Sequence, residues 1–182
     1  MAHRNPITRA LLALVILPWL CAAAWAQNAD GAHDFDWEIG AWHTQVRVRA
    51  PLSEAAAWTE FRGTSIVRAV SGGRANLVEI DVASGERQIE GVSLRLYNPQ
   101  TRQWSLNLAS MRDGVLTSPV YGGFESGRGV FYGQDSVDGR VVLVRFVISD
   151  VSATGARFVQ SYSGDGGQTW IDNWIAVDTR RR

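Results

Sequence analysis

Apolar and polar residues alternate with period two along most of this 182-residue chain, and no long stretch keeps the spacing of an amphipathic helix. The alternation predicts about ten strands, at 41–49, 57–69, 76–82, 90–97, 103–110, 119–125, 129–136, 140–149, 156–163 and 169–178. Between them stand residues with specific reasons to turn the chain. Asn98-Pro99 presets a type I turn, and Ser126-Gly127, Asp138-Gly139, Thr154-Gly155 and Asp165-Gly166-Gly167 admit positive φ. Links this short join antiparallel neighbours. Residues 52–57 offer a single helical turn, and 33–39 another that would plug one end of the fold.

Many short strands with no helix to cover a parallel sheet leave a sandwich or a barrel. From residue 90 onward hairpin follows hairpin without a long crossover. The expected fold is therefore all-β, a single antiparallel up-and-down β-barrel of about 8 to 10 strands.

The first 26 residues break the pattern. Arg4 and Arg9 precede the apolar run ALLALVILPWL, and small residues surround Ala24-Trp25-Ala26. This order predicts a signal peptide over 1–26, cleaved after Ala26, and one domain over 27–182 in the periplasm or outside the cell. A retained anchor is the competing reading. Against it, Pro18 interrupts the run, and the 17 residues from Ala10 to Ala26 fall short of the roughly 20 a span needs.

Composition then removes whole classes of function. Without Arg4 and Arg9, 16 arginines face 18 carboxylates, a net charge of −2 with histidines neutral. That balance gives no electrostatic grip on nucleic acid or anionic lipid. The one cysteine, Cys21, lies in the signal, so the exported domain has neither disulfide nor thiol nucleophile. All 18 basic residues are arginine, which excludes a Schiff-base lysine and the P-loop lysine.

The stretch FDWEIGAWHTQ, residues 35–45, opens the domain with two tryptophans. Trp42 shares a face with Thr44, Val46 and Val48, so its indole points inward and fills the end of a barrel. Gly40-Ala41-Trp42 resembles the G-x-W signature of the first strand in lipocalins and other calycins. Together with EFRGTS, GVSLRLYNPQTRQWS, GGFESGRGVFYGQD and SGDGGQTWIDNW, the chain looks like secreted bacterial calycin-like domains. The resemblance implies that an arginine of the last strand, Arg180 here, covers Trp42, a cation–indole contact worth about 0.5 to 2 kcal/mol.

Ser163 to Trp170 is similar to the Asp-box of sialidases, S-x-D-x-G-x-T-W. Its physical content is a hairpin turn in which Asp165 accepts N–H groups, glycines take positive φ and Trp170 packs beneath. One such box in a chain too short for six four-stranded blades carries no glycosidase assignment.

Other chemistry is sparse. His33 and His43 have no third ligand, so no metal site and no cofactor is expected. Haem-binding barrels of the nitrobindin kind are similar in strand count, but their iron ligand is a late histidine, and none follows His43. Asp34, Asp36 and Glu38 lack an EF-hand pattern and suit the N-terminus of a helical turn. Gly127-Arg128-Gly129 lacks the helix that would make it a phosphate loop. No G-x-S-x-G elbow occurs, and no catalytic residue is assigned.

The barrel lumen remains. Arg145 interrupts the apolar face of Val141, Leu143 and Val147; Tyr132 and Gln134 alternate with Val130; Asn173 lies between Ile171 and Ile175. With Trp104 these residues form the expected ligand site, for a small apolar or amphipathic molecule. Arg145 equally suits an internal ion pair, and the polar groups equally suit a sealed core. Two other functions stay open: an enzyme using Glu60 or Asp172 with Arg145, and a dry barrel acting as an interaction module.

Overall fold

A computed structural model describes residues 31–182. The expected signal over 1–26 lies outside the described residues. Ten strands follow in order among the described residues: β1 Gly40–Val48, β2 Thr59–Val70, β3 Ala75–Ser84, β4 Arg87–Asn98, β5 Gln103–Ser110, β6 Val120–Glu125, β7 Arg128–Val137, β8 Arg140–Ser149, β9 Gly155–Ser163 and β10 Ile171–Arg180. Each pairs antiparallel with its sequence neighbours, and β1 pairs with β10 from Trp42↔Arg180 to Val48↔Trp174. The sheet is thus a closed up-and-down barrel with no free edge.

The turns follow their residues. Ser126-Gly127 and Asp138-Gly139 both take positive φ, which matches a two-residue hairpin to the strand twist. Asn98 Oδ1 accepts the N–H groups of Gln100 and Thr101 at 2.9 and 3.3 Å. At the β8–β9 link the positive φ falls on Asp150 rather than on Thr154-Gly155. Ser152 organises that loop instead, its Oγ accepting the N–H of Thr154 and of Gly155. Residues 52–57 form turns without a helix.

The anticipated turn before β1 is a 3-10 helix, Asp36–Glu38, and it closes one end of the barrel. Phe35 is fully buried there, edge-on to Trp104 at 5.0 Å and to Phe124 at 5.1 Å. Trp42 is fully buried beside it and donates its Nε1–H to Glu38 O at 2.6 Å. The Arg180 guanidinium carbon lies 4.1 Å from the Trp42 ring centroid, and its nitrogens donate to the carbonyls of Trp37, Ile39 and Ala153. Gly40, at φ 132, lets the chain pass under this arginine, since a Cβ would sit 2.7 Å from Arg180 Nη1. The indole is a stopper and the arginine its cover.

Candidate functional site

The pairing register fixes which side chains enter the barrel. Thr44 faces Gly63, Gly63 faces Val82 and Val82 faces Ile89, and the buried face continues through Leu106, Val120, Phe131 and Ile148. Most of these inward residues are sealed, and so are Val46, Phe61, Val142 and Val144 toward the end away from the plug. Between these sealed layers Ile80, Leu108, Phe146, Gln160 and Trp174 point inward and are only half-buried. These half-buried residues form a cup-like layer of the interior, with the Trp42 plug on one side and the sealed residues Val46, Phe61, Val82, Val142 and Val144 on the other.

The lower interior is polar as well as packed. Thr44 donates to Asp178 Oδ1 at 2.6 Å and shares a 2.8 Å hydrogen bond with Ser65, all three buried. Burial raises the Asp178 carboxyl to about 6; the Thr44 hydrogen bond opposes this, the Glu38 charge adds to it, and Arg95 opposes it. Glu38 and Arg95 form a buried bidentate ion pair, with Arg95 Nη2 at 3.1 Å from Glu38 Oε1. Beside it Asn76 Oδ1, Ser93 Oγ and Arg95 Nε are buried with no hydrogen-bond partner among the described residues.

Higher on the wall a second polar group faces the cup. Tyr162 donates its hydroxyl to Asp135 Oδ2 at 2.7 Å, and Ser136 N–H binds Asp135 Oδ1 at 2.7 Å. Gln160 Nε2 reaches Tyr162 Oη and Asn173 Oδ1, both at 3.3 Å. Burial, then the Asp135 carboxylate, pushes the Tyr162 hydroxyl above its ordinary range, so it stays a donor.

The five residues expected to line one site do not come together. Trp104 is 1% exposed, packs under the plug and donates to Gly31 O at 2.9 Å. Asn173 faces inward because a β-bulge between Asp172 and Trp174 shifts the alternation there. Tyr132, Gln134 and Arg145 lie on the outside, a correction to their expected inward placement. Tyr132 pairs with Arg145 and Gln134 with Leu143, opposite in sense to Phe131 and Val142, which fill the core. Tyr132 is 53% exposed.

On the outer face of β8 the Asp-box loop packs against Leu143 and Arg145, while Val141 stays exposed. A Cβ at Gly167 would touch Leu143 and Trp170, and the Arg145 guanidinium lies 4.5 Å from the Trp170 centroid. Within the box, Asp165 accepts the Thr169 hydroxyl and N–H, the Ser163 hydroxyl and the Gln168 N–H, and these bonds, those from Thr169 first, hold its carboxyl well below the usual range. The box is a turn device, as its chemistry implies.

Nor do the residues of the enzymatic reading meet. The Glu60 side chain is 63% exposed, 3.8 Å from Arg62, and Asp172 accepts a hydrogen bond from Ser161. Sequence reasoning missed Glu38, Arg95, Asp135, Gln160, Tyr162 and Asp178. The alternation of Phe158, Gln160 and Tyr162 along β9 was the available signal for two of them.

Fold and interior together define a lipocalin-like barrel. Among solved structures it is similar to the S-type phycobiliprotein lyase CPES from Guillardia theta, with a TM-score of 0.57 and 10% identity over 81% of this chain and 90% of that one. At such identity the likeness concerns the fold. No family model and no curated protein matches the chain.

Proposed function

We propose that the protein is an exported lipocalin-like carrier, periplasmic or secreted and akin to secreted bacterial calycin-like domains, that holds one small apolar or amphipathic molecule in its barrel. One observation carries this reading: five inward side chains between the plug and the sealed far layer are only half-buried in a sheet closed on itself, which leaves room inside for a small molecule. The similar solved barrel is named as a lyase for phycobiliproteins, and a general capacity for small ligands is the part of that likeness the half-buried interior supports. Export is supported by the order of charged, apolar and small residues in 1–26.

The test uses the neutral fluorescent probe N-phenyl-1-naphthylamine. The wild-type protein should take up one equivalent with enhanced emission. Leu108→Trp, which fills the cup, should weaken binding by about tenfold or more at an unchanged far-UV circular dichroism spectrum. An unresponsive wild type, or a variant that binds equally well, would remove the carrier reading.

A further inference from the structure

The lumen's charge goes further and, resting on the carrier reading, bears on which amphipath it accepts. Between rim and plug, the charged residues on the inward face of the strands are Arg95, Asp135 and Asp178, with Glu38 reaching in from the plug. Arg95 is spent on Glu38, and those two charges cancel. Asp135 and Asp178 form no salt bridge among the described residues. The cations nearest the mouth, Arg87 and Arg140, are exposed at the rim, and Arg87 lies 5.3 Å from the Phe61 ring.

Asp135 is the reachable acid of the two. It is half-buried, whereas Asp178 is 6% exposed. The Tyr162 hydroxyl and the Ser136 N–H bind the Asp135 oxygens, which steadies the carboxylate without neutralising it. Trp174 and Gln160 pair across β9 and β10, so a half-buried indole shares the wall with this acid. A carboxylate beside aromatic faces in a partly dehydrated space attracts an ammonium group, and it repels a second carboxylate.

We infer that the cup selects amphipaths bearing a protonated amine over fatty carboxylates, with Asp135 as the countercharge. The head group lies against Asp135 and Trp174, and the alkyl chain runs along Leu108, Ile80 and Phe146.

Three probes of equal length separate this inference from the carrier reading: dodecylamine, dodecanol and dodecanoic acid, titrated at pH 7.5 below their aggregation limits by displacement of N-phenyl-1-naphthylamine. The amine should bind about tenfold or more tightly than the acid, with the alcohol between. Asp135→Asn keeps an acceptor for Tyr162 and should abolish the amine's advantage over the alcohol. An acid that binds as tightly as the amine overturns the inference and leaves the carrier standing. An amine preference that survives Asp135→Asn overturns the role of Asp135. Failure of all three probes to displace the bound fluorophore overturns the inference and leaves the carrier standing.

Discussion

Asp178 shows how one residue's surroundings govern the response of the protein to pH. Its carboxyl is buried against Thr44, and its affinity for a proton is raised to about 6 in the folded state. An unfolded chain holds the same proton only to about 3.9. Below pH 4 both states are protonated and the residue costs nothing. As pH rises the unfolded chain releases its proton first, so stability falls from pH 4 and the loss is complete above about pH 6. The difference in proton affinity between the two states corresponds to about 3 kcal/mol. Asp178→Asn keeps an oxygen for the Thr44 hydroxyl and removes the charge. In urea denaturation at pH 4, 5, 6 and 7.5 the variant should gain on wild type by about 3 kcal/mol across the series. Parallel profiles for the two proteins would mean that Asp178 is not held above its ordinary range.

At the level of elements, the plug segment is pinned by one interaction that no local pattern reveals. Asp36, Glu38 and their neighbours read as acids suited to the start of a helical turn, yet Glu38 is 2% exposed and its partner Arg95 lies 57 residues away on β4. Periodicity reports which residues share a face, and it is silent about which distant strand supplies a partner. The strands were legible for that reason, and all ten are found near their expected bounds. Their facing was less so. On β8 both faces are largely apolar, because one fills the core and the other carries Val141, which is exposed, and Leu143, which meets the Asp-box loop, so alternation there could not tell inside from outside. On β10 the bulge at Asn173 changes the phase midway. The buried pair carries its own prediction. Arg95→Met strands the Glu38 charge and should cost about 3 to 5 kcal/mol, whereas Glu38→Leu with Arg95→Met should recover most of that loss. Urea unfolding of the two single variants and the double variant checks it through the coupling energy. Strict additivity would show that the pair does not hold the plug.

At the scale of the whole molecule, closure makes the strands nearly equivalent in role. Nine of the ten pairings join sequence neighbours, and the tenth, β1 with β10, brings the beginning of the domain to its end. Arg181 N–H binds Ala41 O at 2.9 Å, and Arg180 covers Trp42, so both ends of the sheet's chain meet at the plugged side. A sheet without edges has no privileged opening, and a cut is tolerated wherever the turn itself is exposed and uncrowded. The β7–β8 turn at Asp138-Gly139 meets that condition: both residues are exposed, and a Cβ on Gly139 would find nothing within 4 Å. A circular permutant that starts at Gly139 and joins Arg182 to Gly31 through a short glycine-serine linker keeps every strand pair, including β1 with β10. It should fold to the same near-UV circular dichroism spectrum and bind N-phenyl-1-naphthylamine as the parent does. Its stability should fall by no more than about 2 kcal/mol, because loop closure depends only weakly on where the chain is joined. A permutant that folds but no longer takes the probe would show that the cup depends on the covalent β7–β8 turn, which the Asp138-Gly139 geometry argues against. One that fails to fold would place the turn among the determinants of register, alongside the bulge and the plug.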